Sequence, residues 1–453
     1  MSEGSLTVRK ETWSGSNSPL ARAVARPMVK FLAQETASGV LLLVATAAAL
    51  LWVNSPWGDT YSQFWETHLS INVGSTHLID LSLHGWVNDA LMALFFFVVG
   101  MEIKSELVNG DLSDPRVAAL PAVGAVGGMV VPAALYLVFN LGGDASGGWG
   151  VPMATDIAFA VGVLALLGPR IPQQLKLFLL TLAIVDDIGA ILVIAIFYTT
   201  SIQFGWLALA GGLTVLIVAL RPLRVWYQPV YVLLGVIVWF ATHESGVHAT
   251  IAGVMLGLLA PAKPLLGQRV FESVEDVLSG DIADPVVLRD ASFRLRETVP
   301  VTARLTNLLS PWTSFVIVPL FALANAGVRL SGDAVSGALT STVTLGIVVG
   351  LVIGKPVGIY LFSVLALQAR VAMLPDGLRR THLLGAGAVA GIGFTVALFI
   401  ASLAFDDPVL AEEAVIGILV ASVAATVLGW LILRSVNYEA PVEQEEESVL
   451  VEA

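Results

Sequence analysis

The sequence predicts an all-α polytopic membrane protein with about twelve transmembrane helices, arranged as two inverted three-helix repeats with a small outer β-hairpin. Three observations carry the prediction. Of 453 residues, 56% are hydrophobic and only 13% charged, whereas soluble domains run near a quarter charged. Apolar runs recur that are long enough to cross about 30 Å of hydrocarbon. The basic residues also alternate between loops as a multi-span chain requires.

Taken in order, residues 1–30 carry Arg9, Lys10, Arg22, Arg26 and Lys30 ahead of the first apolar run. A cleaved signal peptide would begin the same way, but many spans follow, so this stretch reads as a cytoplasmic leader. Candidate spans lie near 33–53, 86–103, 117–139, 149–168, 177–199, 204–220, 229–242, 246–261, 313–328, 341–368, 383–404 and 409–433. The run 229–261 is split because Thr242, His243, Glu244 and Ser245 interrupt it. With the N-terminus inside, only Arg329 of the 23 Lys and Arg falls in an outside loop, and Lys355 falls within a span. Both termini are therefore expected in the cytoplasm.

Between the first two spans, alternation around Gly74-Ser75 reads as a β-hairpin, with an irregular loop as the alternative. The inner loop 263–312 is mixed in charge and has room for a surface helix. Residues 31–435 form one membrane domain, with core repeats at about 117–199 and 341–433. The tail 436–453, with Glu443, Glu445, Glu446 and Glu447, reads as disordered. The chain has no cysteine, which excludes thiolate chemistry and cysteine-bound metal. A net charge of −12 speaks against a nucleic-acid partner.

Four ionisable residues lie well inside predicted spans: Asp156, Asp186, Asp187 and Lys355. Each costs about 2.5–3.5 kcal/mol to insert at a helix centre, so such residues face a protein interior or a wet cavity and mark ion or proton paths. Asp186 and Asp187 point about 100° apart on a helix. Two carboxylates this close resist double ionisation and hold a proton unless a cation compensates. A site that holds protons or a cation but not both is what an exchanger needs, and sodium takes carboxylate and carbonyl oxygens. The plainer alternative is a structural ion-pair network with Lys355. That lysine sits in Gly354-Lys-Pro-Val-Gly, where Pro356 frees a carbonyl and Gly354 and Gly358 allow close helix approach.

Pro152 and the pair Thr155-Asp156 interrupt span 4, and Gly391-Ile-Gly-Phe-Thr, with Gly391 and Gly393, interrupts span 11. One broken span in each half is the best sequence pointer to a transporter site. Weaker candidates are Asp89, Glu102 and Glu106, as a cation-attracting funnel or a plain interfacial cluster. His248 is a titrating residue or an ordinary structural hydrogen-bonder.

The runs Asn88–Lys104, Ala154–Ala160, Ala183–Ala190, Ser245–Thr250, Gly354–Gly358 and Gly391–Thr395 resemble, in family order, the NhaA family of bacterial sodium/proton antiporters. Inverted repeats are characteristic of that family. The resemblance implies an electrogenic antiporter of the bacterial inner membrane, exporting sodium or lithium against protons for sodium and pH homeostasis. It implies that Asp187 is a direct sodium ligand and that Asp186 exchanges protons and pairs with Lys355. Asp156 and Thr155 are implied to lie where two broken helices cross, and the outer hairpin to assist a homodimer. One departure concerns the stretch before span 9. Relatives with strong pH activation often carry an acid and histidines there, whereas Thr306, Asn307 and Ser310 cannot titrate. Shallower pH gating, or gating by the Asp186–Asp187 pair alone, is expected.

No cofactor and no ATP are expected, since no G-x-x-x-x-G-K-[ST] loop occurs. The rivals are an ion-coupled carrier of a small organic solute, an intramembrane aspartyl enzyme using Asp156 and Asp187, and a passive sodium channel. The first lacks a mid-span arginine to read its substrate.

Overall fold

In a computed structural model the described residues are 37–73, 76–199, 202–223, 227–264, 285–375 and 377–436. The expected leader, the tail beyond 436, the hairpin turn and residues 265–284 of the inner loop lie outside them.

Helix α1 (Ala37–Val53) is followed by α2 (Gly58–Trp65), which turns by 115°. Tyr61 of α2 donates to the carbonyls of Leu323 and Ala324 and so holds this turn down. Next come β1 (His68–Val73) and β2 (Thr76–Ser82), an antiparallel pair in the expected place. His68 pairs with Ser82 and Ile71 with Ile79, and the register shifts between Ile71 and Asn72. A short helix Leu83–Gly85 and a π-helical segment Trp86–Leu91 lead into α3 (Met92–Asn109).

Helix α4 (Pro115–Asn140) precedes a 3-10 segment, Asp144–Met153, and α5 (Ile157–Leu167). Then come α6 (Gln173–Phe197), α7 (Phe204–Leu220), α8 (Gln228–Glu244) and α9 (Thr250–Leu259). The break between α8 and α9, at 245–249, begins at Ser245, the last residue of the polar run that split 229–261. After α10 (Pro285–Glu297), α11 (Val301–Trp312) runs through a π turn, Thr313–Ile317, into α12 (Val318–Asn325). Helices α13 (Gly332–Thr340) and α14 (Thr342–Val349) follow, with a further π segment, Gly350–Gly354, before α15 (Lys355–Gln368). Helices α16 (Arg380–Ala390), α17 (Phe394–Ala404) and α18 (Pro408–Ser435) complete the described chain.

The helix starts follow local chemistry. Asp114 accepts from the amide of Arg116 and Asp407 from that of Val409, each just ahead of a proline at the first helical position. This satisfies amides that a helix start leaves unpaired.

By length and composition, five helices among the described residues can cross a membrane, or eight if each bent pair is one span. The expected twelve are therefore not all long enough to count on that basis. The short α7 and α9 are apolar, and α3 carries charge over its last turns. A 25-residue helical stretch, Val301–Asn325, apolar enough by length and composition to cross a membrane, begins inside the segment read as inner loop to residue 312. Its first turns carry Arg304, Thr306 and Asn307, which hid it in a hydropathy reading.

Large apolar side chains such as Leu43, Leu51, Val138, Leu166, Ile196 and Phe204 face outward. Such a surface suits lipid rather than water. Inside, backbones approach closely where glycines meet. Gly100 and Gly257 bring α3 against α9, and Gly127 and Gly358 bring α4 against α15. A Cβ on Gly358 would lie 2.8 Å from the carbonyl carbon of Gly127 and 3.0 Å from Val131 Cβ. Gly358→Val is therefore expected to destabilise by about 1–3 kcal/mol and to lower the melting temperature in detergent, whereas Gly162→Ala, where a Cβ meets nothing, is not.

Candidate functional site

Two helices are broken at mid-course. The segment Asp144–Met153 meets α5 at 42°, and α16 meets α17 at 50°. A broken helix leaves amides bare at one end and carbonyls bare at the other. Here the two breaks lie against each other and satisfy each other.

Asp156 serves both N-termini. Its Oδ1 accepts from the amide of Phe159, at 3.1 Å, in the first turn of α5. Its Oδ2 accepts from the amide of Thr395, at 3.1 Å, in the first turn of α17, and from the Thr395 hydroxyl. One buried carboxylate thus faces the positive ends of two half-helices, where negative charge is favourable. The Asp156 amide donates to Ile392 O at 2.6 Å, locking the breaks together.

The carbonyl ends face polar side chains. Lys355 Nζ donates to Met153 O, at the end of the 3-10 segment. The Thr155 hydroxyl lies 2.9 Å from Ala390 O, at the end of α16, and its single proton is shared between that carbonyl and Asp186. The glycines between α16 and α17 are needed for this fit. A Cβ on Gly391 would strike Leu351 O, and one on Gly393 would come within 2.9 Å of Ala397 Cβ.

The third component is α6. Asp186 Oδ2 accepts from Lys355 Nζ at 2.6 Å and from Thr155 Oγ1 at 2.6 Å. Lys355 is fully buried and Asp186 nearly so. Asp186 Oδ1 is buried with no partner among the described residues. Asp187, one residue on, is also buried, but no hydrogen bond reaches its carboxylate among the described residues. The charges acting on it are Asp186, Glu102, Lys355 and Asp156. Adjacent residues on one helix are therefore treated differently, one tied by two donors and one left open.

Lys355 is costly to remove from such a place. Lys355→Ala leaves Asp186 as an uncompensated buried charge, expected to cost about 3–5 kcal/mol. The neutral pair Asp186→Asn with Lys355→Met should recover much of that loss in a thermal melt, even though it removes both charges.

The weaker candidates separate. Glu102, on α3, is exposed. Glu106 instead accepts from the amide of Asp111, at 3.2 Å, and closes the end of α3. Asp89 lies in the π segment at the other end of that helix, 4.0 Å from His243. Asp89 thus stands at one end of α3, and Glu102 and Glu106 toward the other. His248 Nε2 donates to Tyr198 O at 2.6 Å, an ordinary structural bond. In the stretch before α12, Arg304 is held by Glu297, at 2.9 and 3.2 Å.

Sequence reasoning passed over Thr395, Met153 and Ala390. Thr395 closes the motif that begins at Gly391, and that was its only signal. The other two contribute backbone carbonyls, which no side chain announces.

Crossed half-helices around buried charges, with an acidic pair on a neighbouring helix, define a class: secondary transporters built on discontinuous helices. Residues 29–433 match the family model described as Na+/H+ antiporter 1, and the chain belongs to that family. It is 49% identical over 421 residues to Na(+)/H(+) antiporter NhaA 3 of Frankia alni, covering 92% of this chain and 90% of that protein. It is 45% identical to Na(+)/H(+) antiporter NhaA 2 of Myxococcus xanthus over 432 residues, 92% of each chain. The Na(+)/H(+) antiporter NhaA of Rhodopirellula baltica is 46% identical over 413 residues, 89% of this chain and 92% of its own.

Proposed function

We propose that this chain exchanges cytoplasmic sodium for protons, with Asp187 as the direct sodium ligand and Asp186 as the proton-exchanging partner of Lys355. The observation that carries the reading is the contrast within the acidic pair. Asp186 is bonded to Lys355 and Thr155, while Asp187 keeps its oxygens free of hydrogen bonds among the described residues. A hard cation needs oxygens not already committed to donors. A weakly held, exchangeable cation at one or two carboxylates, completed by carbonyls, fits cargo rather than a resident metal.

In the proposed cycle the carboxylates release protons on the cytoplasmic side and sodium binds. The protein rocks, and protons displace sodium on the other side. The empty, fully ionised site is costly to move through a low-dielectric interior, which makes exchange obligatory. Asp156, Thr155 and Lys355 hold the crossing together. Glu102 draws cations toward Asp187.

The finer parts of the reading follow the family resemblance. These are lithium as a second cargo, electrogenic exchange, and a homodimer aided by the β1–β2 hairpin. Twelve spans with inverted repeats, both termini in the cytoplasm and a place in the bacterial inner membrane complete it. No cofactor is required.

Competition between sodium and protons for one pair gives a test. The sodium concentration for half-maximal exchange should fall as pH rises, by up to about tenfold per unit for one competing proton. A half-maximal concentration independent of pH would count against a shared site. The absence of titratable groups at Thr306, Asn307 and Ser310 predicts a shallow activity–pH curve. The solute-carrier alternative gains no support from the site, and an aspartyl enzyme less, because both oxygens of Asp156 are occupied by helix amides.

A further inference from the structure

A second cluster of titratable side chains lies at the hairpin-side end of α3, apart from the Asp186–Lys355 centre. Asp89 sits in the π segment Trp86–Leu91, and three histidines act on it. His243 comes from the last turn of α8, His84 from the short helix Leu83–Gly85, and His248 from the link between α8 and α9. Helix α12, packed on the same segment, presents the neutral Asn325. Glu244 is the next residue along α8.

Two of these histidines are committed. His84 Nε2 lies 3.0 Å from Asn325 Oδ1, which only accepts, so that nitrogen donates. Asn325 in turn donates to Asn88 at 2.9 Å. His248 Nε2 donates to Tyr198 O, at the end of α6.

His243 differs. Its side chain has no hydrogen bond among the described residues. Its Nδ1 lies 4.0 Å from Asp89 Oδ2, and the two side chains are 27% and 28% exposed. Its ring stacks on Trp239, with centroids 6.1 Å apart, and Trp239 stacks on Trp86 at 6.3 Å. Trp239 Nε1 also donates to Asp89 O at 3.0 Å. The end of α8 is thus held to the start of α3 by one fixed bond, one aromatic stack and one contact that depends on a proton.

We propose that Asp89 and His243 form a proton-responsive latch between α8 and the π segment that opens α3. A protonated His243 pairs with the carboxylate and stacks on Trp239 as a cation, whereas a neutral one keeps only the stack. The elements joined are connected to the centre. Helix α3 carries Glu102, and His248 ties the same end of the bundle to α6, which bears Asp186 and Asp187. The latch therefore lets the proton concentration at the hairpin face bias the helices around the exchange site, a role that rests on the proton-coupled reading above.

The stacked indole reports the state of the latch directly, because an imidazolium quenches indole emission. Full-length protein in lipid nanodiscs is titrated from about pH 8 to about pH 5, and Trp239 emission is taken as the difference between wild type and Trp239→Phe. The expected result is a reversible fall in Trp239 emission on acidification that is absent in His243→Gln. In proteoliposomes, His243→Gln is expected to retain the maximal sodium/proton exchange rate and to show a flatter activity–pH curve. Emission from Trp239 that ignores pH in wild type, or an equal fall in His243→Gln, overturns the latch. An unchanged activity–pH curve in His243→Gln overturns its coupling to exchange. A wild type that exchanges nothing sinks the antiport reading and the coupling with it, while the emission titration still decides whether the latch exists.

Discussion

Asp187→Asn is expected to reduce sodium binding by roughly a hundredfold or more, while leaving the fold intact. The asparagine is isosteric, and no hydrogen bond among the described residues is lost, because none reaches the Asp187 carboxylate. What disappears is the charge that holds the cation. Removing one partner of a desolvated charge pair costs about 2–5 kcal/mol, and each 1.4 kcal/mol is tenfold in affinity. Sodium binding to the purified protein, by radioactive sodium at equilibrium, measures the effect, and a melting curve beside it shows that the variant is folded. Sodium affinity within threefold of wild type would mean that Asp187 is not the ligand.

Asp156→Ala should have the opposite signature, with a large loss of stability and a secondary loss of exchange. The substitution strips the cap from α5 and from α17 at once. A single lost cap costs about 0.5–2 kcal/mol. Two caps sharing one buried carboxylate, with the Thr395 hydroxyl also left without its acceptor, should cost about 2–4 kcal/mol. Asp156→Asn retains an acceptor oxygen and should lie between the two. Melting temperatures of the three proteins, in the order wild type, Asn, Ala, check this. Asp156→Ala melting with wild type would show that the crossing is held elsewhere.

These variants separate what was legible in the sequence from what was not. Asp186, Asp187, Asp156 and Lys355 stand out because charge inside an apolar run is expensive and has few uses. The breaks at Thr155-Asp156 and Gly391–Gly393 were legible because small and polar residues interrupt otherwise continuous spans, and the structure bends at both places. Thr395 was not legible, for a physical reason. Thr46, Thr214 and Thr242 each donate to the carbonyl four residues back in their own helix. A threonine in a span is thus ordinarily satisfied locally, and only the fold shows that Thr395 reaches Asp156 instead. The carbonyls of Met153 and Ala390 carry no residue signal at all.

The charges near the ends of α3 were the least legible. Glu102, Lys104 and Glu106 lie within one turn and a half, and sequence spacing cannot tell which of them turns inward. In the fold Glu106 closes its own helix, while Glu102 is exposed. The twelve-span reading met a different limit. Short apolar helices such as α7 and α9 fall below the length at which composition alone identifies a crossing.

The most direct test of the central claim uses wild-type protein in proteoliposomes that hold an inside-acid pH gradient, reported by the quenching of a pH-sensitive dye. Sodium, then lithium, then potassium is added outside. Cation/proton exchange at the acidic pair predicts immediate dequenching with sodium, at concentrations that fall as pH rises, and none in vesicles carrying Asp187→Asn. A gradient that no cation dissipates at any pH, or one that sodium dissipates equally well in Asp187→Asn, would contradict it.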